Sequence, residues 1–153
     1  MINDQNIRPS KEASSVIEKE SLDFSRLKGK LPWPVEGGTI VKGFGEYTYP
    51  GHQNVKVNNN GIDIEAPSNA EVRAVFAGQV VGRQFIPGYQ NMILISHGSY
   101  YTVYSNLESA EVSKGDEVLA GQVIGNLSSQ KSELHFEVWK ERKRLDPALW
   151  IRK

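Results

Sequence analysis

The chain has 153 residues, 39% of them hydrophobic, enough for one compact domain with a buried core. Its 18 basic side chains balance 18 acidic ones, which argues against the basic footprint that nucleic-acid binders use to displace counterions from phosphates. The absence of cysteine excludes disulfides, thiolate zinc centres and a cysteine nucleophile, and no apolar run reaches the roughly 20 residues of a membrane-spanning helix.

The opening "MINDQNIRPS" has neither the basic start nor the apolar stretch of an export signal. For a protein that works outside the cytoplasm, that signal is expected on a longer precursor. Pro9-Ser10 predicts a helix start, Ala13, Val16 and Ile17 recur at helical spacing, and Gly29 supplies a stop. One short helix is therefore expected in an N-terminal arm of residues 1–30, followed by a separate domain of residues 31–153. The thin apolar face suits either the end of a longer coiled coil or an arm folded back onto that domain.

From "LPWPV" onward the pattern changes to strands. "TIVKGFG", "EVRAVFAGQVVGRQF", "NMILISHG", "YYTVYSNL", "DEVLAGQVIGNL" and "LHFEVWKER" are rich in Val, Ile, Phe and Tyr and are separated by Gly, Asn, Pro or Ser clusters. Turns such as "PGYQN", "HGSYY" and "SKGDE" carry the glycine that tight connections need. An all-β, antiparallel domain of barrel-sandwich type follows. The basic run "KERKR", Lys140 to Arg144, reads as a solvated strand end or hairpin. "VSKGDEVLAGQVIGNL" is similar to the hammerhead half-motif of lipoyl and biotinyl carriers, but neither Met1 nor Met92 adjoins the lysine such a carrier modifies.

Three segments in order, "NNGIDIEAPSNAEVRAVFAGQVV", "NMILISHGSYYTVYSNL" and "ELHFEVW", resemble the LytM-type, lysostaphin-like zinc endopeptidases of peptidoglycan. The resemblance spans Leu31 to Ile151 and implies the duplicated hybrid-motif β fold of that family. In active members the segments read His-x-Gly-x-Asp, Tyr-x-His-Leu and His-x-His. The first histidine, the aspartate and the last histidine bind zinc, and the other two histidines position and activate the attacking water. The matching positions here are Asn59, Asp63, Asn106, Glu133 and His135, so two of the five family residues remain.

A hydrolytic zinc ion needs three protein ligands and an open position for water. Asn59 offers only an amide oxygen, a poor exchange for imidazole. Glu133 and His135 stand two apart on a strand and should share a face, so Glu133 is the one candidate for a third ligand. A fully extended chain would hold Asn59 and Asp63 about 13 Å apart, so the Asn-Gly turn has to bring them together. His52 and His97 fall outside the metal positions and read as solvated or turn histidines. No catalytic residue, metal or cofactor is expected.

"LPWPV" and "DPALWIRK" resemble the EnvC-like murein hydrolase activators, degenerate members of the same family. That resemblance implies an extracytoplasmic protein that binds the regulatory helix of a peptidoglycan amidase. The binding groove is expected to include Arg83, Phe85, Tyr89, Tyr101, Asn106, Glu133 and His135. Residues Ser10 to Lys28 are expected to lie on the same face as a built-in restraint, and Asp63, on an open vacated groove, is expected to tolerate Asn. A peptidoglycan-binding module without an amidase partner is the first alternative: Tyr89, Tyr100, Tyr101 and Tyr104 suit glycans, although strand alternation sends about half of them into the core; a residual zinc endopeptidase holding its metal through Asp63, Glu133 and His135 is the less favoured second.

Overall fold

The computed structural model describes residues 11–48, 51 and 53–153, with side chains from residue 15 onward. The expected helix is α1, Lys11–Ser25, followed by a turn that closes at Gly29. Its proposed start at Pro9-Ser10 and the loop residue His52 lie outside the described residues.

Among the described residues after the helix the named strands all pair antiparallel, as the sequence pattern predicts. The strands are β1 (Thr39–Lys42), β2 (Gly45–Thr48), β3 (Lys56–Asn59), β4 (Ile62–Glu65), β5 (Glu71–Arg73), β6 (Gly78–Ile86) and β7 (Gln90–His97). They continue with β8 (Tyr100–Leu107), β9 (Ser109–Ala110), β10 (Glu117–Val118), β11 (Val123–Asn126), β12 (Glu133–Lys140) and β13 (Lys143–Leu145). Among the described residues the main sheet runs β1-β4-β12-β8-β7-β6-β10, with β13 alongside β12; β5-β11-β9 form a second sheet and β2-β3 a separate hairpin. A 3-10 turn, Pro147–Leu149, is capped by the Asp146 carboxylate, which accepts the Ala148 N–H.

Strand alternation divides the main sheet into two faces. Ile62 and Ile64 of β4, Ile93 and Ile95 of β7, Tyr104 of β8, and Leu134, Phe136 and Val138 of β12 point inward. They pack against Val72, Val75, Ile124 and Leu127 of the second sheet and its flanks. Register places the intervening residues on the outer face. His135 lies between Asp63 and Ser105, Glu137 opposite Val103, Trp139 opposite Tyr101, and Leu94 opposite Val103.

Helix α1 packs against the inner side. Phe24, fully buried, stacks on His97, Tyr100 and Trp150 with ring centroids 4.8, 4.9 and 5.2 Å away. The Ser21 hydroxyl accepts the Ser99 N–H at 2.7 Å. The turn between β7 and β8 permits this approach because Gly98 has φ of +79° and a side chain there would strike Ser21 and the Ile17 carbonyl. The helix therefore does not lie across the outer face, contrary to the expectation of a restraint there. Its aromatic anchor is part of the β-domain's core.

Candidate functional site

The local sequence explains why Asn59 and Asp63 meet. The chain leaves β3 at Asn59, turns through Asn60-Gly61 and enters β4, and the Asn59 Oδ1 accepts the Gly61 N–H at 3.3 Å, closing an Asx-type turn. A side chain on Gly61 would collide with the Phe136 carbonyl, so only glycine lets the turn lie flush against β12. Asn59 Nδ2 then donates to the Asp63 Oδ2 and to the Gly43 carbonyl, both at 2.9 Å.

From Asp63 the contacts run along the outer face of β12. His135 Nδ1 lies 3.0 Å from Asp63 Oδ1, and His135 Nε2 lies 2.7 Å from Glu137 Oε2. Both partners are carboxylates, which only accept, so both ring nitrogens donate and the ring is an imidazolium. Trp139 Nε1 donates to the other Glu137 oxygen at 2.7 Å. His135, Asp63 and Glu137 side chains are 19, 16 and 14% exposed.

The ionisation follows from this packing. Burial pulls the His135 pKa down, but hydrogen bonds and charge from Asp63 and Glu137 outweigh it and hold the imidazolium to about 9. Burial likewise opposes the charge on Asp63. His135, the Asn59 amide and the charge of Lys42 overcome it and keep the carboxyl below its usual range.

Glu133 does share the face of His135, but its carboxylate turns to Lys42 Nζ at 3.4 Å. The charge of Glu133 raises the Lys42 pKa. Asn106 has φ of 74° at an irregularity between β7 and β8; its Nδ2 donates to the Glu133 backbone carbonyl at 2.6 Å and its N–H to the Tyr89 carbonyl. Asn59, Asn106 and Glu133 are thus each engaged elsewhere. Among the described residues no three His, Asp, Glu or Cys side chains form a metal-holding group. The donor set around Asp63 and His135 therefore does not fit a hydrolytic zinc ion, which needs three ligands and an open place.

Beside this network the outer face carries a groove of about 590 Å³, lined chiefly by Met92, Leu94, Tyr101, Val103 and Trp139. Of the residues expected to form a partner groove, Tyr101 lines it. Arg83 and Phe85 do not. They pair with Ile93 and Asn91 on the opposite face, and the Arg83 guanidinium reaches the Val112 carbonyl at 3.4 Å. The cause is a register shift between Val80 and Gly82, which exchanges the two faces along β6. Tyr89 sits in the β6–β7 turn, 61% exposed, with Phe85 at 62% nearby in sequence.

The sequence reading of His97 also needs correction. It is fully buried, its Nδ1 2.8 Å from the Ala77 carbonyl and its Nε2 2.8 Å from the Thr102 hydroxyl. Burial depresses its pKa to about 4, although the Ala77 carbonyl favours the charged form. Lys42, Glu137 and Trp139 were missed as members of the site network. For the last two a signal existed, because "ELHFEVW" places Glu133, His135, Glu137 and Trp139 on one strand face.

The sequence profile of peptidase family M23 matches residues 57–147, a span that takes in Asn59, Asp63, Asn106, Glu133 and His135. The uncharacterized lipoprotein YgeR of Escherichia coli is 32% identical over 91% of this chain and 58% of its own length. The murein hydrolase activator EnvC of Escherichia coli is 28% identical over 94% of this chain and 34% of its own. The chain thus spans between about a third and three-fifths of these two relatives. A crystal structure of a zinc-containing peptidase from Vibrio cholerae superposes with a TM-score of 0.67 at 28% identity, covering 79% of this chain and 40% of that one.

Proposed function

The chain belongs to peptidase family M23, and from that premise we propose that it is a non-catalytic member that activates a peptidoglycan amidase outside the cytoplasm. One observation carries this reading: three of the five positions that would bind zinc and activate water are occupied by Asn59, Asn106 and Glu133, each held in a contact of its own. The two family residues that remain, Asp63 and His135, are bound to each other, and His135 also to Glu137. On the same face the apolar groove stays open. A surface that has lost the means to polarise a carbonyl but keeps an apolar trough is suited to holding a polypeptide, and an amphipathic helix laid in such a groove is a common mode of regulatory binding.

The likeness to EnvC, named a murein hydrolase activator, supports the same reading, and the name of the lipoprotein YgeR supports a place at the cell envelope. In this proposal the groove draws the amidase's regulatory helix away from the amidase active site. The differential affinity of the groove for the released helix sets how far the amidase shifts to its active state.

The test is dye release from labelled sacculi by an amidase of the same organism, with and without this protein. Stimulation by a protein that alone releases nothing, and that holds no stoichiometric zinc by elemental analysis, is the expected result. Peptide cleavage by the protein itself, lost in Asp63→Ala, would instead identify a working endopeptidase.

A further inference from the structure

The apolar groove does not end at Trp139. Next to it on the outer face stands β13, and beyond β13 a second depression of about 860 Å³ lies between the β12–β13 hairpin and the base of the β2–β3 hairpin. The two depressions share Glu141 and Arg142, so the hairpin turn is the ridge between them. The first is walled by aliphatic and aromatic side chains. The second has a different chemistry: Lys140, Arg142, Lys143 and Arg144 along one side, and the amides of Asn58, Asn59 and Asn60 along the other.

These cations are concentrated at one hairpin of a chain whose charges balance overall. Among the described residues none of the four has a carboxylate within ion-pair distance, and the ion pairs there lie at Lys19, Lys42, Arg73 and His135. Arg144 donates to the Asn60 side-chain oxygen and lies over the Trp139 ring, and Lys140 lies over the Tyr100 ring. Arg142 and Lys143 are exposed at the turn. Glu141, in the turn itself, is one acid among these four cations, and Asp63 and Glu137 of the outer face are already bound to His135. The hairpin therefore keeps a net positive charge.

From this arrangement we infer that the polypeptide taken by the groove is bipartite: an apolar stripe that rests on Met92, Leu94, Tyr101 and Val103, continuing into a cluster of carboxylates that lies over Arg142 and Lys143. An extended polyanion is a poorer match, because the cations cluster at one hairpin instead of forming a stripe, and the facing Asn58 side chain offers an amide partner suited to a peptide backbone. Charge at such a rim governs encounter rate and orientation more than residence time, and it selects against partners with a basic end. The inference rests on the activator reading and specifies the partner of that same face.

The test is the half-maximal concentration of this protein for stimulating an amidase of the same organism, measured at low and at raised ionic strength. The wild type is compared with Arg142→Glu/Lys143→Glu and with the neutral pair Arg142→Ser/Lys143→Ser. Because Arg142 is an exposed turn residue and Lys143 the exposed first residue of β13, thermal midpoints should be unchanged, and the neutral pair decides if the reversed pair folds poorly. The reversed pair should need roughly tenfold more protein for half-stimulation, the neutral pair less than that, and added salt should weaken the wild type more than either variant. If the wild type stimulates but variants and salt leave the half-maximal concentration unchanged, the acidic partner segment is wrong and the activator reading stands. If the wild type stimulates no amidase, both fall together.

Discussion

His97 and His135 lie on opposite faces of the same sheet, and their surroundings drive them to opposite charge states. His97 faces inward between a carbonyl, a hydroxyl and the Phe24 ring, and is held neutral with a pKa near 4. His135 faces outward between two carboxylates and is held charged to about 9. Both are well shielded from water, so burial alone does not separate them. The partners do: groups that can meet a neutral ring on one side, and groups that only accept on the other. A histidine's exposure therefore says little until the atoms facing both ring nitrogens are known.

The strongest way to break the contrast is to uncover the inner ring. Phe24→Ala should cost about 4 kcal/mol, the usual range for a buried phenylalanine, and by admitting water it should raise the His97 pKa from about 4 toward its ordinary value. Denaturant titration and NMR titration of the ring follow the two effects separately. Removing residues 1–28 should act in the same direction and weaken the domain, because Phe24 belongs to its core. A truncated chain as stable as the full one would show that the helix is dispensable.

The pH dependence should show both histidines at once, with opposite signs. The His97 pKa is lowered on folding, so its contribution is complete above about 6.5, falls as the unfolded chain takes up protons, and is lost by about pH 4. The His135 pKa is raised, so its contribution is complete below about 6.5 and is lost as pH rises through about 9. Each limb should span about 3 kcal/mol by the linkage of pKa to stability. Denaturation midpoints across this range should form a maximum near neutrality. In His135→Gln the alkaline limb should flatten while the acid limb persists.

A smaller effect is expected at Asp63. On an open groove, Asn would be tolerated at this position; the ion pair with His135 changes that expectation. Asp63→Asn should cost about 2 kcal/mol, since a hydrogen bond to a charged group is lost from a largely enclosed pair, and the His135 pKa should drop as one of its two carboxylates disappears. A cost within about 0.5 kcal/mol, the range of an ordinary surface change, would count against the pairing. Smallest of all, Trp139→Phe removes the indole donor from Glu137. It should cost about 1 kcal/mol and push the His135 pKa slightly upward, because Glu137 then has only the imidazolium to neutralise it.

The same two-sidedness explains what could be read from the sequence. The strand class, the meeting of Asn59 with Asp63 and the shared face of Glu133 and His135 were legible because turn residues and the alternation in "ELHFEVW" are local signals, whereas the meeting of the two pairs was implied only by the family resemblance. Arg83 and Phe85 were expected to flank the groove from the loop "GRQFIPGYQN"; they lie instead on β6, where the shift between Val80 and Gly82, which carries no mark in composition, turns them to the other face. His97, followed by Gly98-Ser99, looks like the start of a turn; the ring that covers it comes from Phe24, 73 positions earlier. Lys42 reaches Glu133 only through the β1–β4–β12 order, which is a matter of topology.

The inner histidine also ends a line of contacts: Val75 N–H to the Tyr104 hydroxyl, Tyr104 to Thr102, Thr102 to His97, and His97 to the Ala77 carbonyl, at 3.0, 2.9, 2.8 and 2.8 Å. With a neutral ring, one proton order satisfies every member, each hydroxyl donating once and accepting once. Val75 and Ala77 belong to the strap that carries the chain from β5 in the small sheet to β6 in the large one. The line is a rivet between the two layers, and the strap cannot lift unless the whole series opens together. Its amide at Val75 should therefore exchange with solvent deuterium only through global unfolding, as slowly as the centre of β8, although the strap itself belongs to neither sheet.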